Sequence, residues 1–418
     1  MFTHSMRLAV AVAGLMALRS EVALAATRPA GVEAVVGEVL PSTPPGGLDI
    51  HHINTGEGNA ALLVLPDQTT VLIDCGSNRG VARLPGFKAP PRPDGSRLPG
   101  EWVARYVRQV HPRGADAPVD YGVASHFHAD HIAGFPEFLR HVRIATFLDR
   151  GWPDYGDPLP FTGGGAALYK AALAGQVKSH GMKVERFRGG VADQIVLRHE
   201  PRRYPDFEVR HLAVNGEAWT GEGTAMRRRV VAGAALQENA LCAALRVRYG
   251  AFDYFAGGDL LGTAEKPEIP ASRDVESAVA WVTGPVDVLM LNHHGNSDAT
   301  SPFFVSVLQP RVCIAQVWDA QQVDPTVLAR LRSPLLGPGP RDIFMTNGEW
   351  PERDAHVVRV FGEAAGRKHV EDLKAIAARQ GHIVVRVAPG GASYHVVVLT
   401  DADESRHVRS VHGPYPSR

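Results

Sequence analysis

Short apolar runs, each closed by a turn residue, recur along this chain, and their order points to a layered α/β fold. Leu48 to Ile53 and Ala60 to Leu65 read as strands, and Pro66-Asp67-Gln68 turns the second into a third, Thr70 to Asp74. Ala240 to Leu260 repeats that grammar, turning at Tyr249-Gly250-Ala251 and ending at Gly258-Asp259. Two further apolar runs, Tyr121 to Ala124 and Val286 to Leu291, each end just before histidines. Pro118-Val119-Asp120 precedes His126 by the same spacing at which Pro285-Val286-Asp287 precedes His293. Each half thus brings a hairpin ending in aspartate and a strand ending in histidine, which suits two packed sheets facing one another across a shared site. Helical periodicity falls between these strands, at Glu101 to Val110, from Pro136 through Val142, at Ala166 to Gly181, and at His369 to Gln380 with Gly381 as its stop. His382 to Val387 and Tyr394 to Leu399 form a hairpin turning at Pro389-Gly390-Gly391, and the polar residues from Asp401 onward are expected to fray.

The first residues follow a different pattern. Arg7 precedes the apolar run Leu8 to Leu18, and Ala23-Leu24-Ala25 offers small residues for cleavage. That run is too short to span a bilayer, so residues 1–26 read as a secretory signal, with export to the periplasm or beyond and no stable membrane span after its removal. Residues 27–47, rich in Pro, Gly and Ala, read as a flexible tether. The main domain is expected over 48–350, and 351–418 should extend it or form a small appended module. The chain has 418 residues and a formal net charge of zero, so it lacks the basic footprint of a nucleic-acid polymer binder. Its partner is instead expected to be a small molecule or a locally bound polymer. Cys75, Cys242 and Cys313 lie in apolar contexts and read as buried thiols, with no disulfide framework.

The chemistry concentrates at Ser125-His126-Phe127-His128-Ala129-Asp130-His131, just after a strand. Residues two apart in extended chain face the same way, so His126 and His128 can share one metal ion. Asp130 and His131 fall where the chain turns into the next helix, and they suit a second ion. Asp259 ends a strand where one carboxylate can bridge two cations and offset their charge, and the glycines before it let the backbone come close.

His126-Phe127-His128-Ala129-Asp130-His131 resembles the H-x-H-x-D-H signature of the metallo-β-lactamase superfamily. The similarity runs from about Leu48 to Asn347. With His293-His294-Gly295 and the segment Asn54-Thr55-Gly56-Glu57-Gly58-Asn59, it looks nearest to the H-H-G branch, which includes the hydrolase domains of competence-type DNA-uptake channels and a choline-phosphate esterase. The resemblance implies a four-layer αββα sandwich with two divalent cations, zinc foremost and manganese or iron also compatible, held by His126, His128, Asp130, His131, Asp259 and His294. It favours His294 over His293 as the ligand, whereas the internal echo favours His293. It also implies a metal-activated water directed at phosphoester bonds of a small, envelope or extracellular substrate, with amide or ester bonds (β-lactam or lactone) or a noncatalytic metal-binding scaffold as alternatives. Asp74, Asp130 and His293 are the catalytic candidates. Asp74 would support the site from behind, Asp130 would orient the nucleophile, and His293 would bind an oxyanion or protonate the leaving group. Two positions depart from the family's pattern. No histidine stands near Ala235, where a third ligand for the first cation is common, and Asp324 stands where the branch tends to carry a histidine before proline. Asp324 reads as a helix N-cap.

Overall fold

The computed structural model describes residues 34–77, 86–230, 236–262 and 274–418. Among these residues, one sheet has nine strands, in the order Val408–Pro416, Ser393–Leu399, His382–Val387, Leu48–His52, Ala61–Val64, Thr70–Ile73, Val119–Val123, Ile144–Asp149 and Lys183–Arg186. The other has eight: Asp342–Met345, Val312–Ala315, Val288–Met290, Phe252–Ala256, Ala244–Tyr249, Phe207–Val214, Glu217–Trp219 and Met226–Arg228. Strand alternation sorts the side chains. Leu63, Val71 and Ile73 join Leu245, Val288 and Ile314 in the core between the sheets, whereas Leu62, Val64 and Leu72 face outward against Val103, Phe135 and Tyr169 of the covering helices. Leu289 and Cys313 do the same on the far side, against Phe304 and Val327. The result is the αββα sandwich.

The repeated grammar is visible as paired geometry. In each sheet an antiparallel hairpin (Ala61–Val64 with Thr70–Ile73, Ala244–Tyr249 with Phe252–Ala256) is followed by a strand parallel to its second arm. The echoed aspartates act alike. Asp120 Oδ2 accepts from the Thr70 backbone N–H at 2.9 Å, and Asp287 Oδ2 accepts from that of Asp253 at 3.0 Å. Both strands therefore deliver their terminal histidines to the same end of the sandwich.

Three expectations need correction. From Ala34 onward the stretch read as a flexible tether is bound down. Leu40 packs with Val384, Val397, Leu399 and Val408, and Gly37 N–H donates to Val408 O while Val408 N–H donates to Glu38 O. The C-terminal residues do not fray, because Val408–Pro416 pairs along Ser393–Leu399 through backbone bonds that ask little of side-chain polarity. The helix read over 369–380 is instead Glu363–Lys374, so Gly381 is not its stop. Elsewhere Asp324 caps Pro325–Arg332 as expected, its Oδ1 accepting from Thr326 N–H at 2.8 Å. The signal-like residues 1–26 lie outside the described residues.

Buried neutral histidines make this core acid-sensitive. His211 stacks on Phe187 with ring centroids 3.9 Å apart. Its Nδ1–H donates to Arg188 O at 2.9 Å. Burial pushes it from 6.5 down to about 4. The unfolded chain therefore takes up this proton first, and stability is lost as pH falls from 6.5 through 4, by roughly 3 kcal/mol. His211→Gln should remove that share, leaving urea midpoints measurably less pH-dependent between 6.5 and 4.5. A pH slope equal to that of the parent protein would contradict this reading.

Candidate metal centre

The strand Val119–Val123 ends at the mouth of the sandwich, and the chain bends through 126–127 before His128 opens the short helix Ala129–Ile132. Phe127 sets the direction of its neighbours. Its ring stacks on Phe161 at 4.3 Å, Arg150 lies over it at 4.3 Å, and its N–H donates to Glu238 Oε1 at 2.8 Å. With Phe127 committed to the outer core, His126 and His128 turn the other way, and their ring centroids lie 4.8 Å apart. The bend, not an extended strand, gives them a common side. Gly58 seats the helix: a Cβ there would lie 1.9 Å from Asp130 O, the oxygen that accepts from Asn59 N–H at 2.9 Å.

From the other half, Gly258 takes φ +57 and passes so close to Ser125 that a Cβ would lie 2.9 Å from its Oγ, which brings Asp259 in. His293 and His294 both adopt left-handed backbone, φ 48 and 56, a sparsely populated region for residues with a side chain. Two donor groups result. Asp130, His131, Asp259 and His294 present ligand atoms all within 4.8 Å of one another, and so do His126, His128 and Asp259. Asp259 belongs to both. Its Oδ1 lies 3.2 Å from His131 Nε2 and 3.6 Å from His294 Nε2, and its Oδ2 lies 3.6 Å from His126 Nε2.

The hydrogen bonds behind these groups leave their lone pairs facing inward. Asp74, itself at φ 59, is the hub. Its Oδ2 accepts from His131 Nδ1 at 2.7 Å and from Ser125 Oγ at 2.7 Å, and its Oδ1 accepts from Ser125 N–H at 2.8 Å. Since Ser125 spends its proton on Asp74, its oxygen accepts from His126 Nδ1 at 3.1 Å. His294 Nδ1–H donates to Gln316 O at 2.9 Å. In all three rings an outer partner holds Nδ1, so Nε2 is the nitrogen turned to the site, the arrangement that outer partners impose on metal-ligating histidines. His126 Nε2 is buried with no hydrogen-bond partner among the described residues, and His131 Nε2 and Asp259 Oδ1 have only each other within hydrogen-bonding reach, at 3.2 Å. His294 Nε2 lies within hydrogen-bonding distance of Asp130 Oδ2, at 3.0 Å, and also receives the Trp318 indole N–H at 3.3 Å. A divalent cation fits each of these observations, and nitrogen and oxygen donors do not select zinc alone.

The charges point the same way. Burial would raise Asp259, but His131, His294 and His293 hold it well below the usual carboxylate range. Burial would lower His131, but Asp259, Asp130 and Asp74 hold it well above the usual imidazole range. Burial, with His131 beside it, keeps His126 well below that range. Bound cations would take over this mutual neutralisation by displacing protons.

All six predicted ligands come together, His294 rather than His293 in the second group. Asp74 lies beneath them. His293 stands at the rim, its Nδ1 2.7 Å from Asp298 Oδ1 and its Nε2 3.2 Å from Asn239 Nδ2. Sequence reasoning missed Ser125 as a relay and Gln316 as the carbonyl behind His294. It also missed Asp298, though five residues after His293 was a signal worth weighing. Arg150 is paired to Glu238, and Asp149 accepts from Tyr155 and Tyr169, so both serve structure. Arg227 and Arg229 line a surface cleft with Trp219 and Trp281 that contains none of the metal-directed residues. The position near Ala235 lies outside the described residues.

Fold and donor set define a metal-dependent, hydrolase-type protein. Residues 53–221 match the family model of the metallo-beta-lactamase superfamily. Solved structures with a similar course include the diiron beta-hydroxylase CmlA from Streptomyces venezuelae, 14% identical over 83% of this chain and 54% of that one, TM-score 0.37. The metallo-beta-lactamase fold protein YhfI from Bacillus subtilis is 12% identical over 71% of this chain and 96% of that one, TM-score 0.35. Zn(2+)-bound PqqB from Methylobacterium extorquens is 8% identical over 81% of this chain and 99% of that one, TM-score 0.35. The chain spans about half the length of CmlA. No curated protein matches this sequence.

Proposed function

We propose that this chain is an exported metal-dependent hydrolase of phosphoester bonds, acting on a small molecule or on an envelope or extracellular phosphoester. The observation that carries this reading is the carboxylate of Asp259, shared by two groups of donors. Two divalent cations bound there would polarise the scissile group and lower the pKa of water, the chemistry suited to in-line displacement at phosphorus. The chain's own residues supply the rest. Asp130 offers one oxygen to the His294 side, and as the partly exposed carboxylate of the cluster it can hold and orient the attacking water. His128 is exposed and opens the first group toward substrate. Asp74 and Ser125 act through the histidines as positioning residues. The zero net charge supports a small ester over a nucleic-acid polymer. Among the described residues, no helix is long and apolar enough to cross a membrane.

The test is a substrate panel with cation-loaded protein: an aryl phosphodiester, an aryl phosphomonoester, a carboxylic ester, a lactone and a β-lactam. The expected outcome is the highest kcat/KM on a phosphoester, abolished in His128→Ala. Faster turnover of the lactone or β-lactam would overturn the phosphoester assignment, and bound cations with no turnover on any member would mark a scaffold.

A further inference from the structure

We propose that His293 is the third nitrogen ligand of the first cation, closing with His126, His128 and Asp259 in place of the histidine that the sequence lacks near Ala235. The inference rests on the two-cation reading above. The two oxygens of Asp259 are divided: Oδ1 faces His131 and His294, whereas Oδ2 lies 3.6 Å from His126 Nε2 and 3.8 Å from His293 Nε2. Two donors on one tetrahedral ion with bonds near 2.05 Å sit about 3.4 Å apart, so both separations are within a few tenths of an ångström of joint ligation. His293 is not among the donors already within 4.8 Å of one another, and its Nε2 lies 3.2 Å from Asn239 Nδ2. Joint ligation would exchange that contact for the cation, with Nδ1 still held by Asp298.

The support behind His293 is that of a ligand. Its Nδ1 bonds Asp298 Oδ1 at 2.7 Å, the counterpart of His131 on Asp74, and this leaves Nε2 as the inward nitrogen. The left-handed backbone at both His293 and His294 lets consecutive residues reach one centre from the same turn. The repeat adds an independent observation: His293 stands six residues after Asp287, as His126 stands six after Asp120, with both aspartates bonded alike to their hairpins. The two halves then contribute equivalent histidines to the first ion.

The experiment is a cation count with competition titration of zinc against a chelating dye, on the full chain and on His293→Gln and Asp298→Asn. Folding of each variant is checked by circular dichroism. The parent protein is expected to hold two ions. His293→Gln should keep only the one held by Asp130, His131, Asp259 and His294. Asp298→Asn, which leaves the imidazole in place, should weaken only the first ion, by roughly 10–100-fold. Two ions at parental affinity in both variants would overturn the inference and leave the two-cation reading standing, including the case where only the pH profile of turnover moves. Fewer than two ions in the parent protein would overturn both.

Discussion

Asp259→Ala is expected to weaken both cations together, whereas loss of any other single ligand should cost chiefly one. The difference follows from where the side chain sits. Its two oxygens face separate groups of donors, and among the described residues no other belongs to both. Removing it takes one negative charge from between two positions that would each hold a divalent ion, so the ions lose a ligand and the charge that offsets their repulsion. Lewis-acid stabilisation is worth several kcal/mol, and about 1.4 kcal/mol is a factor of ten in rate. Turnover should therefore fall roughly a thousandfold or more. Asp259→Asn keeps the shape and removes the charge, and it should weaken both ions as well. Equilibrium dialysis with elemental analysis reads this directly, with His128→Ala and His294→Ala as the one-ion controls. An Asp259→Ala protein that retains one ion at parental affinity would refute the shared-carboxylate geometry.

The second large effect is expected at a residue that touches no cation. Asp74 fixes His131 directly and His126 through Ser125, so Asp74→Ala should loosen one ligand of each ion, with affinity or activity falling roughly 10–100-fold. It should also cost stability, because the Ser125 N–H and the His131 Nδ1–H are left buried and unpaired at about 1–3 kcal/mol each. Ser125→Ala removes the 3.1 Å contact to His126 and only a longer one, 3.4 Å, to His131, which keeps Asp74, so it should weaken chiefly the first ion. Competition titrations on the two variants distinguish these outcomes. Equal losses at both ions in Ser125→Ala would show that the relay is not the route by which Asp74 acts.

The site was legible in the sequence to the extent that its residues are local or echoed. His126, His128, Asp130 and His131 fall within six positions, and the duplicated order of strands, turns and terminal residues pointed across the chain to Asp259 and the histidine pair. The two sheets were legible for the same reason, since Leu62 to Val64 and Val71 to Ile73 alternate between inner and outer cores. What escaped was contact between distant positions through groups that sequence does not distinguish. Any residue at 316 would offer its carbonyl to His294, and nothing in the composition of 34–47 or 408–416 announces backbone pairing between them. Of the apolar residues Val35, Val36, Val39 and Leu40 in 34–47, only Leu40 is buried, against Val384 and Leu399. The choice between His293 and His294 was left to two conflicting cues, and a turn with both residues in left-handed conformation lets both face the centre.

The central claim is that Asp259 stands between two cations. Anomalous difference maps from crystals of the zinc- or manganese-loaded protein test it most directly. The predicted result is two peaks flanking the Asp259 carboxylate, one bounded by His126 and His128, the other by Asp130, His131 and His294. A single peak, or two peaks with Asp259 outside the gap between them, would contradict it.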